Sequence, residues 1–169
     1  SGSTNRTALL AAISFAQLSY GEYATVRIPK GSYDISDSIL ITKAVRIMGD
    51  GQGDQPETVL FFAAGKSGFI FNYNFGETGF LGSIDRLRIS SVGTRTVYHG
   101  MFLNAIRSNT RVYITNNYID NWVGDGLHID ACANPGVNFG NADGSRIANN
   151  NFVGNKNGRY LNGCDAQVM

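Results

Sequence analysis

One short run, D-G-L-H-I-D, places Asp125, His128 and Asp130 close together. His128 and Asp130 are two apart, so on a strand they share a face. Two chemistries suit these residues. A glycosidase needs two carboxyl groups roughly 5 to 9.5 Å apart, and Asp130 with Asp125, or with the earlier Asp120, would supply them. A polysaccharide lyase needs a base that removes a proton beside a uronate carboxylate. His128 would be that base, assisted by Tyr160 and Arg159. The residues do not choose between hydrolysis and elimination, and aspartates are also common in the turns of repeat proteins, where they do no chemistry.

Residues that would hold a substrate emerge from an alignment of four runs: G-F-I-F-N from Gly68, G-M-F-L-N from Gly100, G-L-H-I-D from Gly126 and G-R-Y-L-N from Gly158. One column then reads Ile70, Phe102, His128, Tyr160, and the next Asn72, Asn104, Asp130, Asn162. Aromatic rings pack on the apolar face of a pyranose, and amides bond its hydroxyls. Phe102, Tyr160, Asn104, Asn162 and Arg159 are therefore the candidate substrate-binding residues. Two plainer roles stay open. The amide column would also make a ladder that only stabilises the stack, and the aromatic column would also serve an oligomer interface.

No metal and no cofactor is expected. Cys132, Cys164, His99 and His128 show no ligand spacing. The glycine-rich stretch Gly49 to Gly53 is followed by neither Lys-Ser/Thr nor a helix pattern, so it reads as a turn. Asp50 and Asp54 lack the spacing of a calcium loop.

The elements that must position these residues follow from the same repeats. Gly68, Gly100, Gly126 and Gly158 recur at similar intervals, the middle one slightly shorter than the two that flank it. NNYIDN from Asn116 is echoed by NNFVGN from Asn150 over a comparable interval. Repeats of this length signal a unit stacked on itself. Each unit holds only short β-rich runs and turns, so it is a coil of strands rather than a helix pair. Phe69 and Phe71, Met101 and Leu103, and Leu127 and Ile129 alternate with the columns above and should face the core. Arg159 breaks that apolar phase, which marks an open end or a slipped register. The longest insertion, 131–144, should protrude. Cys132 and Cys164 fall in equivalent positions of adjacent coils, near enough for a disulfide or for two stacked free thiols. Ahead of the strands, TALLAAISFAQL from Thr7 to Leu18 has Leu9, Ala12, Ile13 and Ala16 on one helical face, widened by Leu10 and Phe15. Thr4 or Asn5 would cap this helix, and Gly21 would close it.

The opening order of that helix, then TVRIPKGSYDIS, SILI and VRIMGDG, resembles the start of the pectate-lyase-like β-helix superfamily, which includes phage tailspike depolymerases and polygalacturonase-like enzymes. Pro29, Gly31, Tyr33, Gly49 and Gly51 carry the likeness, which covers residues 4 to 63. It implies an all-β chain, a right-handed parallel β-helix (solenoid) with a short N-terminal capping α-helix. Residues 1–23 would form the capping segment and 24–169 the coils. Members hydrolyse, eliminate, epimerise or only bind. The adjacent aspartates, Gly-His-Gly and Arg-Ile-Lys of the polygalacturonase branch are missing; only His99-Gly100 is present.

Bulk composition narrows the partners. With 43% hydrophobic and 16% charged residues the chain is no disordered tail, and its net charge of +1 gives nucleic acid or an anionic membrane no purchase. No apolar run approaches the roughly 20 residues that span a bilayer. The Ser-Gly-Ser start carries no signal-peptide pattern. The sequence stops without a second capping helix, so the expectation is a homotrimer or a C-terminal continuation of the solenoid. The functional expectation is a carbohydrate-active protein, extracellular or virion-borne, cleaving glycosidic bonds of a polysaccharide. The alternative is a non-catalytic polysaccharide- or receptor-binding or structural module, such as part of a phage tailspike.

Overall fold

A very short strand buries little by itself, so its stability comes from stacking on an equivalent strand. The computed structural model, which describes residues 1–20, 24–52, 55–72, 79–92, 98–104, 110–130 and 146–162, places the runs in that way. A helix, α1 (Gly2–Tyr20), is followed by coils of three strands each. The first coil is β1 (Thr25–Ile28), β2 (Gly31–Ile35) and β3 (Ile39–Ile41). The second is β4 (Val45–Gly49), a small antiparallel excursion of β5 (Gly51–Gln52) and β6 (Gln55–Pro56), then β7 (Thr58–Phe62) and β8 (Phe69–Asn72). The third is β9 (Gly79–Asp85), β10 (Arg88–Ser91) and β11 (Met101–Asn104). The fourth is β12 (Thr110–Thr115), β13 (Tyr118–Asp120) and β14 (Asp125–Asp130), and the fifth β15 (Arg146–Ala148), β16 (Asn151–Val153) and β17 (Asn157–Asn162).

Equivalent strands pair in parallel. They form three five-stranded sheets, in the orders β1-β4-β9-β12-β15, β2-β7-β10-β13-β16 and β3-β8-β11-β14-β17. The chain is all-β apart from α1, and its architecture is solenoid-like. Each sheet sends apolar columns inward. Val26, Ile47, Ile84, Ile114 and Ile147 stack in the first, and Tyr33, Leu60, Ile89, Ile119 and Phe152 in the second. In the third, Ile39, Phe69, Met101 and Leu127 stack beside Ile41, Phe71, Leu103 and Ile129. Most of these side chains are fully buried, each contributing about 1.5–3 kcal/mol of transfer free energy. The inward residues and the two outward columns read from the glycine runs therefore stand in the expected register.

Asparagines turn the corners. Asn116 and Asn149 hold φ of 57°, a left-handed conformation that asparagine tolerates, one above the other between the first and second sheets. The neighbouring Asn117 is fully buried: its Oδ1 accepts the Leu87 N–H, and its Nδ2 donates to the Ile84 carbonyl and to Asn150 Oδ1. Asn150 Oδ1 also accepts the Asn117 N–H, and Asn150 Nδ2 donates to the Ile114 carbonyl. An asparagine ladder thus exists at this corner.

Four expectations are corrected. The asparagine echo set Asn116 against Asn150, and hence Tyr118 against Phe152, but Ile119 is the residue that pairs with Phe152. The helix begins at Gly2, with Asn5 N–H bonded to the Ser1 carbonyl, so Thr4 and Asn5 lie inside it rather than capping it. Its buried face is Leu9, Ile13 and Ala16; Ala12 and Phe15 are exposed. Gly49 to Gly51 does not simply turn: it runs into β5, and Asp50 accepts Arg27 at 2.8 Å and the Lys30 N–H at 3.1 Å. The helix closure at Gly21, the insertion 131–144 and the two cysteines lie outside the described residues. Among the described residues no helix is long and apolar enough to cross a membrane, and no strand pairs with the far side of β15, β16 or β17.

Candidate functional site

The third sheet gathers most of the residues singled out from the sequence. On its outward face Leu40, Ile70, Phe102, His128 and Tyr160 stand in one column, so the strip runs about 19 Å at roughly 4.8 Å per strand. Its upper members touch ring to ring. His128 stacks on Tyr160 at 4.7 Å and 20°, and meets the edge of Phe102 at 5.3 Å and 68°. Aromatic pairs in such geometries favour each other by about 0.5–1.5 kcal/mol beyond burial.

A second column lies at the positions just before the repeated glycines. Gly68 N–H bonds the His99 carbonyl and Gly100 N–H the Asp125 carbonyl, while Asp125 pairs in register with Asn157. This places His99, Asp125 and Asn157 on successive coils. Asp125 sits at the mouth of β14, where the chain is still leaving the corner, and its carboxylate reaches the same side as His128 further along the strand. The two columns meet there. His128 Nδ1 is 2.6 Å from Asp125 Oδ2, Asn157 Nδ2 donates to Asp125 Oδ1 at 2.7 Å, and the His99 and His128 rings lie 4.3 Å apart. Asp125 N–H donates to His99 Nδ1 at 3.0 Å. A Cβ on Gly124 would strike the Tyr98 carbonyl and come within 2.8 Å of His99 Nδ1, so the bare glycine makes room for that imidazole.

Electrostatics follow from these contacts. The Asp125 side chain is only 6% exposed, and burial alone would raise its pKa. The hydrogen bonds from His128 and Asn157, with the fields of the two imidazoles, outweigh burial and hold it below its usual value. Asp125 is therefore an ionised carboxylate and can only accept hydrogen bonds. His128 then donates from Nδ1, and in the neutral ring the lone pair falls on Nε2, on the far side. Burial is the chief cause that lowers the pKa of His99; His128, whenever it carries a proton, and Lys156 add to the lowering, and Asp125 pulls the other way.

The other candidates are distributed differently. Asn104, Asp130 and Asn162 stack by backbone register at the far end of the same strands; their side chains lie outside the described residues. Asp125 and Asp130 stand at opposite ends of β14, about 16 Å between Cα atoms at roughly 3.3 Å per residue. Asp120 lies on the second sheet, where it accepts Arg88 Nη2 at 2.7 Å, so it is no second carboxyl for Asp125. Arg159 pairs in register with Leu127, in the inward column, and is exposed because no described coil overlies it. It stands on the opposite side of β17 from Tyr160.

Spacing along the sequence had also argued against any metal centre, yet one oxygen of Asp125 and one nitrogen each of His99 and His128 lie within 4.8 Å of one another. A transition metal would need only modest shifts to bridge them. Here both Nδ1 atoms are engaged in hydrogen bonds with Asp125, so the arrangement is that of a carboxylate–imidazole pair. His99 and Asn157 were not among the candidates. Reading one residue further back from each repeated glycine finds them: Ser67-Gly68, His99-Gly100, Asp125-Gly126 and Asn157-Gly158. Compared with known family models, curated proteins and solved structures, the chain has no match in any of the three.

Proposed function

We propose that the chain is a right-handed parallel β-helix of the pectate-lyase-like kind, extracellular or virion-borne, that cleaves a uronate-bearing polysaccharide by β-elimination. The observation that carries this reading is the buried Asp125 carboxylate paired at 2.6 Å with His128 in the middle of an aromatic column. The carboxylate fixes the imidazole with Nε2 as acceptor, the state a general base requires. His128 Nε2 takes the proton from the carbon beside the uronate carboxylate. The electrons of that C–H bond form the new C=C bond, the adjacent glycosidic C–O bond breaks, and the proton returns from His128 to the departing oxygen. Tyr160 and Phe102 flank the imidazole as platforms for the sugar rings, and Lys156, whose field reaches His99, supplies positive charge near the carboxylate. Elimination is preferred to hydrolysis because the partner of Asp125 is an imidazole rather than a second carboxyl, and Asp120 is held by Arg88 on the second sheet.

A second reading keeps the sugar and drops the reaction. The lower half of the strip, Leu40, Ile70 and Phe102, carries no reactive group, which suits a polysaccharide- or receptor-binding module of a trimeric tailspike. The separating experiment incubates the protein with acidic and neutral polysaccharides, reading reducing ends and the ultraviolet absorbance of an unsaturated uronate. Both signals, lost in His128→Ala, support elimination. Reducing ends alone would restore hydrolysis. Binding without either signal would leave the module.

A further inference from the structure

The two imidazoles at the site are held by the same residue in opposite ways. The Asp125 carboxylate faces His128 Nδ1 at 2.6 Å, so that nitrogen carries a proton. The Asp125 backbone N–H points at His99 Nδ1 at 3.0 Å, so that nitrogen must offer a lone pair. A proton on His99 Nδ1 would confront the amide hydrogen head-on. The carboxylate oxygen is further from it, at 3.4 Å, and is already taken by His128. The neutral His99 ring therefore carries its proton on Nε2, the atom facing away from Asp125.

We propose that Asp125 sets His99 and His128 in opposite tautomers, so that His99 presents an Nε2–H donor beside the Nε2 acceptor of His128 and binds negative charge on the ligand. The role for His99 rests on the proposed elimination; the tautomers do not. The rings lie 4.3 Å apart, and each keeps under a fifth of its side-chain surface exposed, so both far edges serve one small region. A neutral donor there resists becoming an imidazolium. Three charged or titratable groups act on it: burial and the fields of His128 and Lys156 disfavour protonation, and Asp125 only partly offsets them. In the elimination, negative charge grows on the uronate carboxylate as the neighbouring proton leaves. A hydrogen bond from His99 Nε2–H would strengthen at that moment and transfer no proton itself, while His128 carries the proton from carbon to the departing oxygen. A base and an electrophilic donor thus come from one residue type, distinguished only by which part of Asp125 each one meets.

The test uses the full ¹⁵N-labelled chain and long-range proton–nitrogen correlation of the imidazoles near pH 8. The expected pattern is a protonated Nε2 and bare Nδ1 for His99, with the reverse for His128. In Asp125→Asn the backbone N–H survives, so His99 keeps its tautomer. His128, facing an amide instead of an anion, loses its fixed preference. Sodium galacturonate is then titrated as the probe. It should shift the His99 Nε2–H signals, and its affinity should fall about tenfold in His99→Phe, the loss of one hydrogen bond to a charged group. His99→Gln places an amide N–H near the position of Nε2 and should retain most of that affinity. A protonated Nδ1 on His99, or two rings titrating together as ordinary imidazoles, overturns the proposal. So does loss of both tautomer patterns when zinc chloride is added to metal-free protein, because the cluster would then be a metal centre. Intact tautomers with no galacturonate effect remove the ligand role of His99. Intact tautomers and galacturonate binding, with no polysaccharide cleaved, would sink the proposed elimination while the paired imidazoles stand.

Discussion

Gly100→Ala and Gly158→Ala put the same added methyl into the same column under different roofs. Gly100 lies beneath the fourth coil. A Cβ built there would come within 2.6 Å of the Gly126 carbonyl oxygen, 2.6 Å of Ile119 Cγ2 and 2.9 Å of Trp122 Nε1. The first of these is backbone fixed in a parallel ladder, and Trp122 is 2% exposed with its indole N–H on the Ile89 carbonyl. Neither can step aside. At Gly158 no described coil lies above, and the nearest atom, Phe152 Cβ, is 3.2 Å away. No left-handed φ is involved at either glycine, so the contrast is purely one of space. Overpacking costs about 1–3 kcal/mol, and a clash with backbone belongs at the upper end. The loss of glycine entropy from the unfolded chain returns about 0.4–1 kcal/mol in both variants. Gly100→Ala should therefore lose about 2–2.5 kcal/mol, and Gly158→Ala should stay within about 1 kcal/mol of the parent. Urea unfolding followed by circular dichroism reads both. Gly100→Ala should also disturb the candidate site, because Gly100 N–H bonds the Asp125 carbonyl. Equal destabilisation by the two substitutions would refute the reasoning, since the carbonyl of the overlying coil would not then be what selects glycine.

Two further outcomes follow from named contacts. Asn117→Ala removes an amide that satisfies the Leu87 N–H and the Ile84 carbonyl in the interior; stranding those groups should cost about 2–4 kcal/mol in urea unfolding, whereas Asn149→Ala, at the exposed rung of the same corner, should cost only the strain of an alanine in the left-handed region, about 1–2 kcal/mol. Stability should also fall with acid in two stages. Below about pH 6.5 the unfolded chain protonates the His99 imidazole that the folded state holds neutral, so stability declines as pH drops through that ordinary value. Asp125, whose folded pKa lies below its ordinary 3.8, contributes fully above that value and loses its contribution as pH falls through the depressed one. Unfolding measured from pH 8 to 3 should show the upper stage reduced in His99→Gln and the lower one reduced in Asp125→Asn; identical profiles in all three proteins would contradict the assigned environments.

The third sheet was legible because its pattern is rigid at both ends. A glycine opens each run, in the first three copies one that tolerates no Cβ, and in those three two apolar residues follow at alternate positions, so one register aligns the set. The second sheet was misread by one residue for a physical reason. Three consecutive asparagines, Asn149 to Asn151, allow two alignments with Asn116-Asn117, and matching letters selects the wrong one. The hydrogen bonds between Asn117 and Asn150 select the other, and the difference is absorbed at the next corner, where Asn155 Oδ1 accepts the Trp122 N–H. That corner also hides an equivalence no residue alphabet suggests. Trp122 Nε1 donates to the Ile89 carbonyl, and one coil on Asn155 Nδ2 donates to the Ile119 carbonyl, so an indole and an amide do the same work. His99 escaped notice because its partner is not near in sequence: Asp125 follows it by a whole coil, and only stacking makes them neighbours.

Asp125 is where fold and chemistry can be told apart. At the register position it occupies, the next coil carries Asn157, whose amide bonds Asp125 Oδ1. The stack therefore accepts a neutral amide there, and buried corners elsewhere in this chain use asparagine for the same task. A carboxylate brings a desolvation cost that an amide of equal size avoids. Two imidazoles and an amide gathered around it offset that cost, and the pKa depression indicates that they more than do so. Structure alone would not require any of this. What a carboxylate does and an amide cannot is hold the His128 Nδ1 proton firmly; the backbone N–H that meets His99 would survive the exchange. The residue least needed by the coil is thus the one around which two histidines, an asparagine and a ring stack are organised. That inversion of structural economy is the strongest physical reason to look for function at this end of the third sheet.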